Sequence, residues 1–416
     1  MNFRNLAYGV SAAAILMSAS TAVYAQETTG GIVGSVSDAS GAPVVGATVV
    51  VTHLPSGTGS TVVTGPNGTG KSSLYRSLRL LAAGASGDAI GAIAEEGGLE
   101  SALWAGPETP DGSGAQGSVR REPVALRLGV ATDALGYLVD YGLPQAEKGN
   151  IFSRDPQIKR EQIFAGPVAR PATTLVDRTR AAVRVRADGW RDLDQVLAPF
   201  ESILTDLGEG DTAPESLTVR RMLRSWRFYD HFRSDREAPA RHPRVGTRAQ
   251  TLAHGGENLA AVWATIQDAG AGEGLSREVA RAFPGARVEV ISSGGLFRLR
   301  MHQPGLLRPL ETTELSDGTL RYLLLCAALL PARPAPLLVL NEPESSLHPD
   351  LLDPLGALIA AAASESQVIV VTHAERLATA LAEAGAEIVR LASTGEGTRV
   401  EDRGVLDVPA WHWPSR

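Results

Sequence analysis

Apolar positions in this chain recur with two different periods, and the switches between them mark out its elements. The β-branched run Thr61-Val62-Val63-Thr64 predicts a short strand, and Leu74, Leu78 and Leu81 then recur at helical spacing, with Gly84 placed to end the helix. Between about 119 and 200 the period is two. Val124, Leu126, Leu128 and Val130 alternate with polar or small residues, as do Tyr137, Val139 and Tyr141, and later Val183 and Val185. Half-polar strands of this kind predict an antiparallel sheet with one wet face. Helices follow, one carrying Leu193, Val196 and Leu197, the next Leu217, Met222, Leu223 and Trp226. Arg287–Ile291 and Leu296–Met301 read as a strand pair hinged at Ser292-Ser293-Gly294-Gly295. Leu320, Leu323, Leu324 and Ala327 mark a further helix, and the apolar runs around Leu337–Leu340 and Gln367–Val371 mark two buried strands. Neither heptads nor an internal repeat occur, which excludes a long coiled-coil arm.

Between the first strand and its helix lies Gly65-Pro66-Asn67-Gly68-Thr69-Gly70-Lys71-Ser72, followed by Ser73. It fits the phosphate-loop pattern G-x-x-x-x-G-K-[ST] at every position, in the strand–loop–helix context that the pattern requires. Glycines let backbone N–H groups turn inward on phosphate at the positive end of a helix. Lys71 would reach the β- and γ-phosphates of ATP, and the Ser72 hydroxyl would sit on Mg²⁺. The segment Gly65–Ser73 is therefore the candidate nucleotide site.

Composition narrows the alternatives. The net charge of −7 gives no global pull toward nucleic acid. A single cysteine, Cys326, excludes an internal disulfide framework, and eight histidines without an H-E-x-x-H pair argue against a zinc hydrolase. Residues 220–248 are locally basic, with nine arginines against three acids and with Trp226, Phe228, Tyr229 and Phe232 interleaved. Such a segment either grips nucleic acid through phosphate contacts and stacking, or buries its aromatics while its arginines pair with neighbouring acids. In an acidic chain the second outcome is expected.

The N-terminus has another texture. Arg4, the apolar run Val10–Met17 and the small-residue site at Val23-Tyr24-Ala25 read as a secretory signal peptide over 1–25, which would direct export. Its apolar run is too short to span a bilayer. Alternating valines and Gly/Asp/Ser turns in Gly31–Asp38 and Val44–Val51 predict a short all-β segment over 26–58. The G-x-V-x-D-x-x-G-x-x-V-x-G-A-x-V pattern there resembles half of the carboxypeptidase-regulatory-like β-sandwich at the front of TonB-dependent receptors. The two textures meet within Gly57–Thr64, which implies a chimera, by gene fusion or by an error in the sequence. Residues 47–65 are expected to fold as a β-hairpin that replaces the first core strand.

Four signals follow the phosphate loop in order. Leu315-Ser316-Asp317-Gly318-Thr319 opens a helix; Leu337–Leu340 runs into Asn341 and Glu342; Ser346-Leu347-His348-Pro349 comes next; and Gln367–Val371 ends at Thr372-His373. With these residues, 59–416 resembles an ABC-type ATPase head of the RecF/SMC-like kind, within the bacterial "AAA family ATPase" group. The resemblance implies an α/β P-loop NTPase fold with a mixed central sheet, an antiparallel β subdomain and a helical insertion. It implies that Glu342 is the general base and His373 the switch histidine, and that Asn341 stands where most such heads hold Mg²⁺ with aspartate. Ser316 and Gly318 would touch the γ-phosphate bound by a second protomer, giving an ATP-dependent homodimer. Such heads work in the cytoplasm, and nucleic acid is a partner the sequence leaves open. Three readings stand: a hydrolysing dimer, acting in DNA repair or defence; a nucleotide switch with negligible turnover, suggested by Asn341; and an exported β module with the ATPase as passenger. Asparagine at 341 gives up a full charge near the metal, so a slow enzyme that needs much Mg²⁺ is expected.

If the phosphate loop is the site, Lys71→Ala abolishes binding of a fluorescent ATP analogue while circular dichroism stays unchanged. Binding at parental strength in the folded variant would reject the site.

Overall fold

A computed structural model describes residues 32–33, 51–54, 58–103, 124–145, 149–207, 213–394, 397–401 and 411–415. The leader at 1–25 and most of 26–58 lie outside the described residues. Two sheets and a small hairpin sheet carry the fold. In the central sheet the strands run, in spatial order, Arg227–Tyr229, Leu337–Asn341, Gln367–Val371, Gly59–Thr64, Glu387–Thr394 and Gly397–Val400. The first five are parallel and the last is antiparallel, so the sheet is mixed, as expected.

The apolar runs form central strands because both of their faces are covered. Val63, Leu337, Val339, Ile369 and Val371 face one core, shared with Leu74, Leu78 and Leu81 of the Lys71–Ala85 helix. Their neighbours Val62, Leu338, Leu340, Val368 and Val370 face a second core, shared with Leu320, Leu323 and Leu324 of the Asp317–Leu329 helix. Alternation by two thus feeds two cores rather than one core and water. Lys71–Ala85 runs past Gly84, which is packed within the helix.

The second sheet has eight strands among the described residues, including Ala125–Thr132, Leu135–Gly142, Gln157–Ala165, Thr174–Thr179 and Ala182–Arg186, each antiparallel to the next. The expected wet face exists at Ala182–Arg186, whose residues alternate between exposed and buried. It fails at Leu135–Gly142, which is buried on both faces apart from its first residue. There Ala131, Leu138, Phe164 and Ala169 form a small third cluster against which Trp411 and Trp413 pack, and Asp140 pairs with Arg127 at 3.5 Å. The tryptophans return from the far end of the chain, so strand periodicity alone did not foresee them.

Three further expectations meet the structure. Arg287–Ser293 and Leu296–His302 form the hairpin, turning on Gly294-Gly295, both in the left-handed region. The helix at Leu193–Leu197 does not form. Leu193 N–H donates to Val183 O at 2.9 Å and Leu197 N–H to Ala181 O at 3.1 Å, so the sheet edge takes those donors instead. The hairpin over 47–65 is also overturned. Val51–Leu54 pairs in parallel with Ala125–Thr132 in the eight-stranded sheet, whereas Gly59–Thr64 enters the central sheet. The phosphate-loop strand is therefore itself a core strand, flanked on both sides.

One ionic cluster braces the second sheet. Glu161 and Arg178 are fully buried and meet at 2.7 Å. Glu161 also accepts from Tyr137 Oη and Ser202 Oγ, each at 2.6 Å, while Arg178 donates to the carbonyls of Ala198, Arg180 and Glu201. Satisfaction of every arm is what makes such a pair tolerable away from water. Arg178→Met strands the Glu161 carboxylate and is expected to cost about 3–5 kcal/mol in urea unfolding, whereas Arg248→Ala, which breaks a pair with Asp268 exposed on both sides, costs less than about 1 kcal/mol. Equal effects of the two would contradict this account.

Candidate nucleotide site

The carboxyl ends of the parallel strands gather the site. Val63 lies in register with Val371 and Val371 with Asn341, so Thr64, Thr372 and Glu342 leave the sheet side by side. Open parallel sheets bind ligands at this edge.

From Thr64 the chain enters the loop. A Cβ on Gly65 would meet Leu391 O at 2.3 Å, and one on Gly70 would meet Thr398 Oγ1 at 2.7 Å, so both positions need glycine. Gly70 also takes a left-handed φ of 83° as the N-cap of Lys71–Ala85, with no side chain capping the helix and no acid in its first turn. The first N–H groups of a 15-residue helix are thereby left facing the loop, an arrangement suited to an anion. Thr69 Oγ1 donates to Pro66 O at 2.8 Å, and Thr398 Oγ1, from the last strand of the sheet, donates to Thr69 O at 2.9 Å. Lys71 is 4% exposed, its ammonium donating to Gly65 O at 2.6 Å and Pro66 O at 2.8 Å. Burial pulls its pKa down, and the nearby Glu342 carboxylate opposes that shift.

Glu342 turns out of the sheet with φ 48°, a left-handed conformation that costs a non-glycine residue about 1 kcal/mol or more. The turn brings its Oε1 to 3.0 Å from His373 Nε2, with both side chains close to 40% exposed. A residue that the sequence reading did not single out as functional holds this pair. Glu344 Oε1 accepts from Thr372 Oγ1 at 2.6 Å, His373 N–H at 3.0 Å and Ala374 N–H at 3.3 Å, fixing the turn that presents the imidazole.

Asn341 also has an unforeseen neighbour. Its Nδ2 donates to Asp230 Oδ1 at 3.0 Å, while its Oδ1 is buried without a hydrogen-bond partner among the described residues. Asp230 follows the strand Arg227–Tyr229, in which Tyr229 is in register with Leu340. A short apolar run ending in a carboxylate was the available signal, the same one that marks Leu337–Glu342. It was masked by the surrounding arginines. Beneath these strand ends lies Arg321, 1% exposed on the Asp317–Leu329 helix, which donates to Glu342 O at 3.3 Å and more weakly to Asp230 O at 3.5 Å.

Ser316 and Gly318 make their contacts elsewhere. Ser316 Oγ caps its helix by accepting from Thr319 N–H at 3.2 Å. A Cβ on Gly318 would come to 3.2 Å from Ser346 O, where Ser346 has a left-handed φ of 64°. Asp317 pairs with the buried Arg241 at 2.7 Å. The Ser316–Gly318 turn is thus tied to Arg241 and packed on the segment after Glu342. In 220–248, Trp226, Tyr229 and Phe232 are buried, in line with the expectation that the aromatics of this basic stretch serve the core.

Strand, glycine loop and helix within a parallel α/β sheet define a P-loop nucleoside triphosphatase fold. The chain belongs to the family described as "AAA domain, putative AbiEii toxin, Type IV TA system", which matches residues 60–377. No curated protein matches it. Among solved structures it is similar to an Smc head bound to the C-winged helix domain of ScpA, at 14% identity and a TM-score of 0.46, over 86% of this chain and 94% of that one. It is similar also to the Pyrococcus furiosus Smc head with an extended coiled coil, bound to the C-terminal domain of ScpA (14% identity, TM-score 0.42, 85% and 91% covered). The SMC head domain from Thermotoga maritima gives 14% identity, a TM-score of 0.36 and coverages of 90% and 97%. No helix among the described residues is long and apolar enough to cross a membrane.

Glu344→Ala removes the acceptor for two backbone amides. Amide exchange at His373 and Ala374 is expected to accelerate by about tenfold or more, the scale of a hydrogen bond to a charged group. Unchanged exchange would show that Glu344 does not hold the turn.

Proposed function

We propose that this chain is an ATPase that binds ATP on Gly65–Ser73, hydrolyses it to ADP and phosphate, and works as a nucleotide-driven homodimer. The observation that carries this reading is the Glu342–His373 pair, held at 3.0 Å on the strand edge that also bears the phosphate loop. Phosphoryl transfer to water needs positioning and charge neutralisation more than covalent help. In this reading Lys71 leaves its two loop carbonyls to neutralise the β- and γ-phosphates, and the backbone amides of Gly68 to Ser73 cradle them. Glu342 orients the attacking water and takes its proton. His373 steadies that carboxylate and hydrogen-bonds the γ-phosphate, so it registers the loss of phosphate.

Residues fit for Mg²⁺ are present: the buried Oδ1 of Asn341, unpartnered among the described residues, and the Ser72 hydroxyl at the helix start are hard oxygen ligands. Ser72 and Asn341 would hold the ion, which when bound neutralises charge on the phosphates. Ser316 and Gly318, on a turn whose contacts lie away from the loop, would complete the site of a second copy. A role in DNA repair or defence rests on the family likeness, whose description names a toxin of a toxin–antitoxin system.

A second reading is a nucleotide switch with negligible turnover, and the neutral side chain at Asn341 is what favours it. Glu342→Gln decides between the two. For the ATPase, nucleotide binding persists, phosphate release falls by about 10²-fold or more, and an ATP-bound dimer accumulates in light scattering. Turnover equal to that of the parent would remove Glu342 as the base, and absent turnover in the parent would leave the switch.

A further inference from the structure

We infer that Asp230 supplies the anionic oxygen that Asn341 lacks, so that the two residues form a divalent-cation seat split across neighbouring strands. The inference deepens the ATPase reading and rests on it. Nothing in the sequence motifs assigns Asp230, because it lies 111 residues before Asn341 and just after a strand of only three residues. Parallel pairing brings the two together: Tyr229 opposite Leu340 puts Asp230 beside Asn341 at the carboxyl edge of the sheet.

The hydrogen bond between them orients both groups. Nδ2 of Asn341 donates to Asp230 Oδ1 at 3.0 Å, which points the amide oxygen the other way. That oxygen is buried and without a partner among the described residues, a condition native proteins rarely leave unexplained. The second carboxylate oxygen of Asp230 accepts no hydrogen bond among the described residues. Arg321, the buried cation beneath them, hydrogen-bonds the main-chain oxygens of Asp230 and Glu342 rather than their carboxylates. A charged acceptor on Asp230 and a neutral one on Asn341 therefore stand on adjacent strand ends, at the carboxyl edge from which the phosphate loop also leaves. Mg²⁺ is commonly held by one or two carboxylates with substrate phosphates and retained waters, rather than by an all-protein cage. Among the described residues no cluster of three or more acidic, histidine or cysteine side chains offers such a cage.

Asn341 then acquires a reason. With Asp230 in place, an aspartate at 341 would set two carboxylates about 3 Å apart, where like charges resist being ionised together. An amide there accepts toward the metal with its oxygen and donates to Asp230 with its nitrogen. The charge has moved one strand sideways, and the shortage of Mg²⁺ affinity expected from Asn341 alone is offset.

Three arms test the assignment with a fluorescent ATP analogue. Parent protein is titrated in EDTA and across Mg²⁺ concentrations, and Mn²⁺ bound per chain is counted by electron paramagnetic resonance. Absence of analogue binding under every condition would sink the nucleotide site itself, and this inference with it. Given binding, Asp230→Asn should keep the affinity seen in EDTA while the Mg²⁺ for half-maximal enhancement rises by about 10–100-fold. The Mn²⁺ signal should fall in parallel. An unchanged Mg²⁺ requirement in the folded variant overturns the assignment and leaves Asp230 as a structural anchor for Asn341. Should Asp230→Asn fail to fold, Asn341→Asp serves: crowding two carboxylates lowers its melting temperature in EDTA, and Mg²⁺ with analogue raises it by more than in the parent. An equal rise in both proteins contradicts the shared seat.

Discussion

Parallel pairing of Gly59–Thr64 with Gln367–Val371 and Glu387–Thr394 joins the front of the described chain to its far end, and the candidate site is assembled by that pairing. Closing a loop of about 300 residues carries an entropic cost that grows only slowly with length. Burying both faces of the strands offsets it, since Val62 and Val63 enter two different cores. The register is correspondingly strict. A slip of one residue would exchange those two valines between the cores and carry Gly65 away from Thr372 and Glu342.

Around the strand ends the chain departs from its local preferences. Glu342 and Ser346 adopt left-handed conformations, Lys71 is a buried ammonium, and Asn341 and Glu344 each keep a buried oxygen without a partner among the described residues. Departures of this kind persist only where the surroundings over-determine them, and they gather at functional sites. Here the surroundings are specific: two loop carbonyls for Lys71, three donors on Glu344, and Arg321 beneath two main-chain oxygens.

Much of this was legible in the sequence, for physical reasons that also mark the limits. The phosphate loop, the two doubly buried strands and the helix after Ser316 carry local signals: fixed glycine positions, β-branched runs and helical spacing. The pairing of Glu342 with His373 follows once both strands lie in one parallel sheet. Asp230 was not legible, since the strand before it spans three residues and arginines hide the pattern. The burial of Leu135–Gly142 on both faces depends on Trp411 and Trp413, far off in the chain, and the edge position of Leu193–Leu197 depends on donors captured by a neighbouring strand. Each of these was decided by tertiary contacts that no local period records.

The claim that joins these observations is that the strand edge is a hydrolytic site rather than a binding surface. Phosphate release from ATP by the unmodified chain, followed to steady state with and without Mg²⁺, tests it most directly. The account predicts ADP and phosphate in equal amounts, released over many turnovers and only when Mg²⁺ is present. Bound nucleotide that stays intact through hours of saturating Mg²⁺ would contradict it.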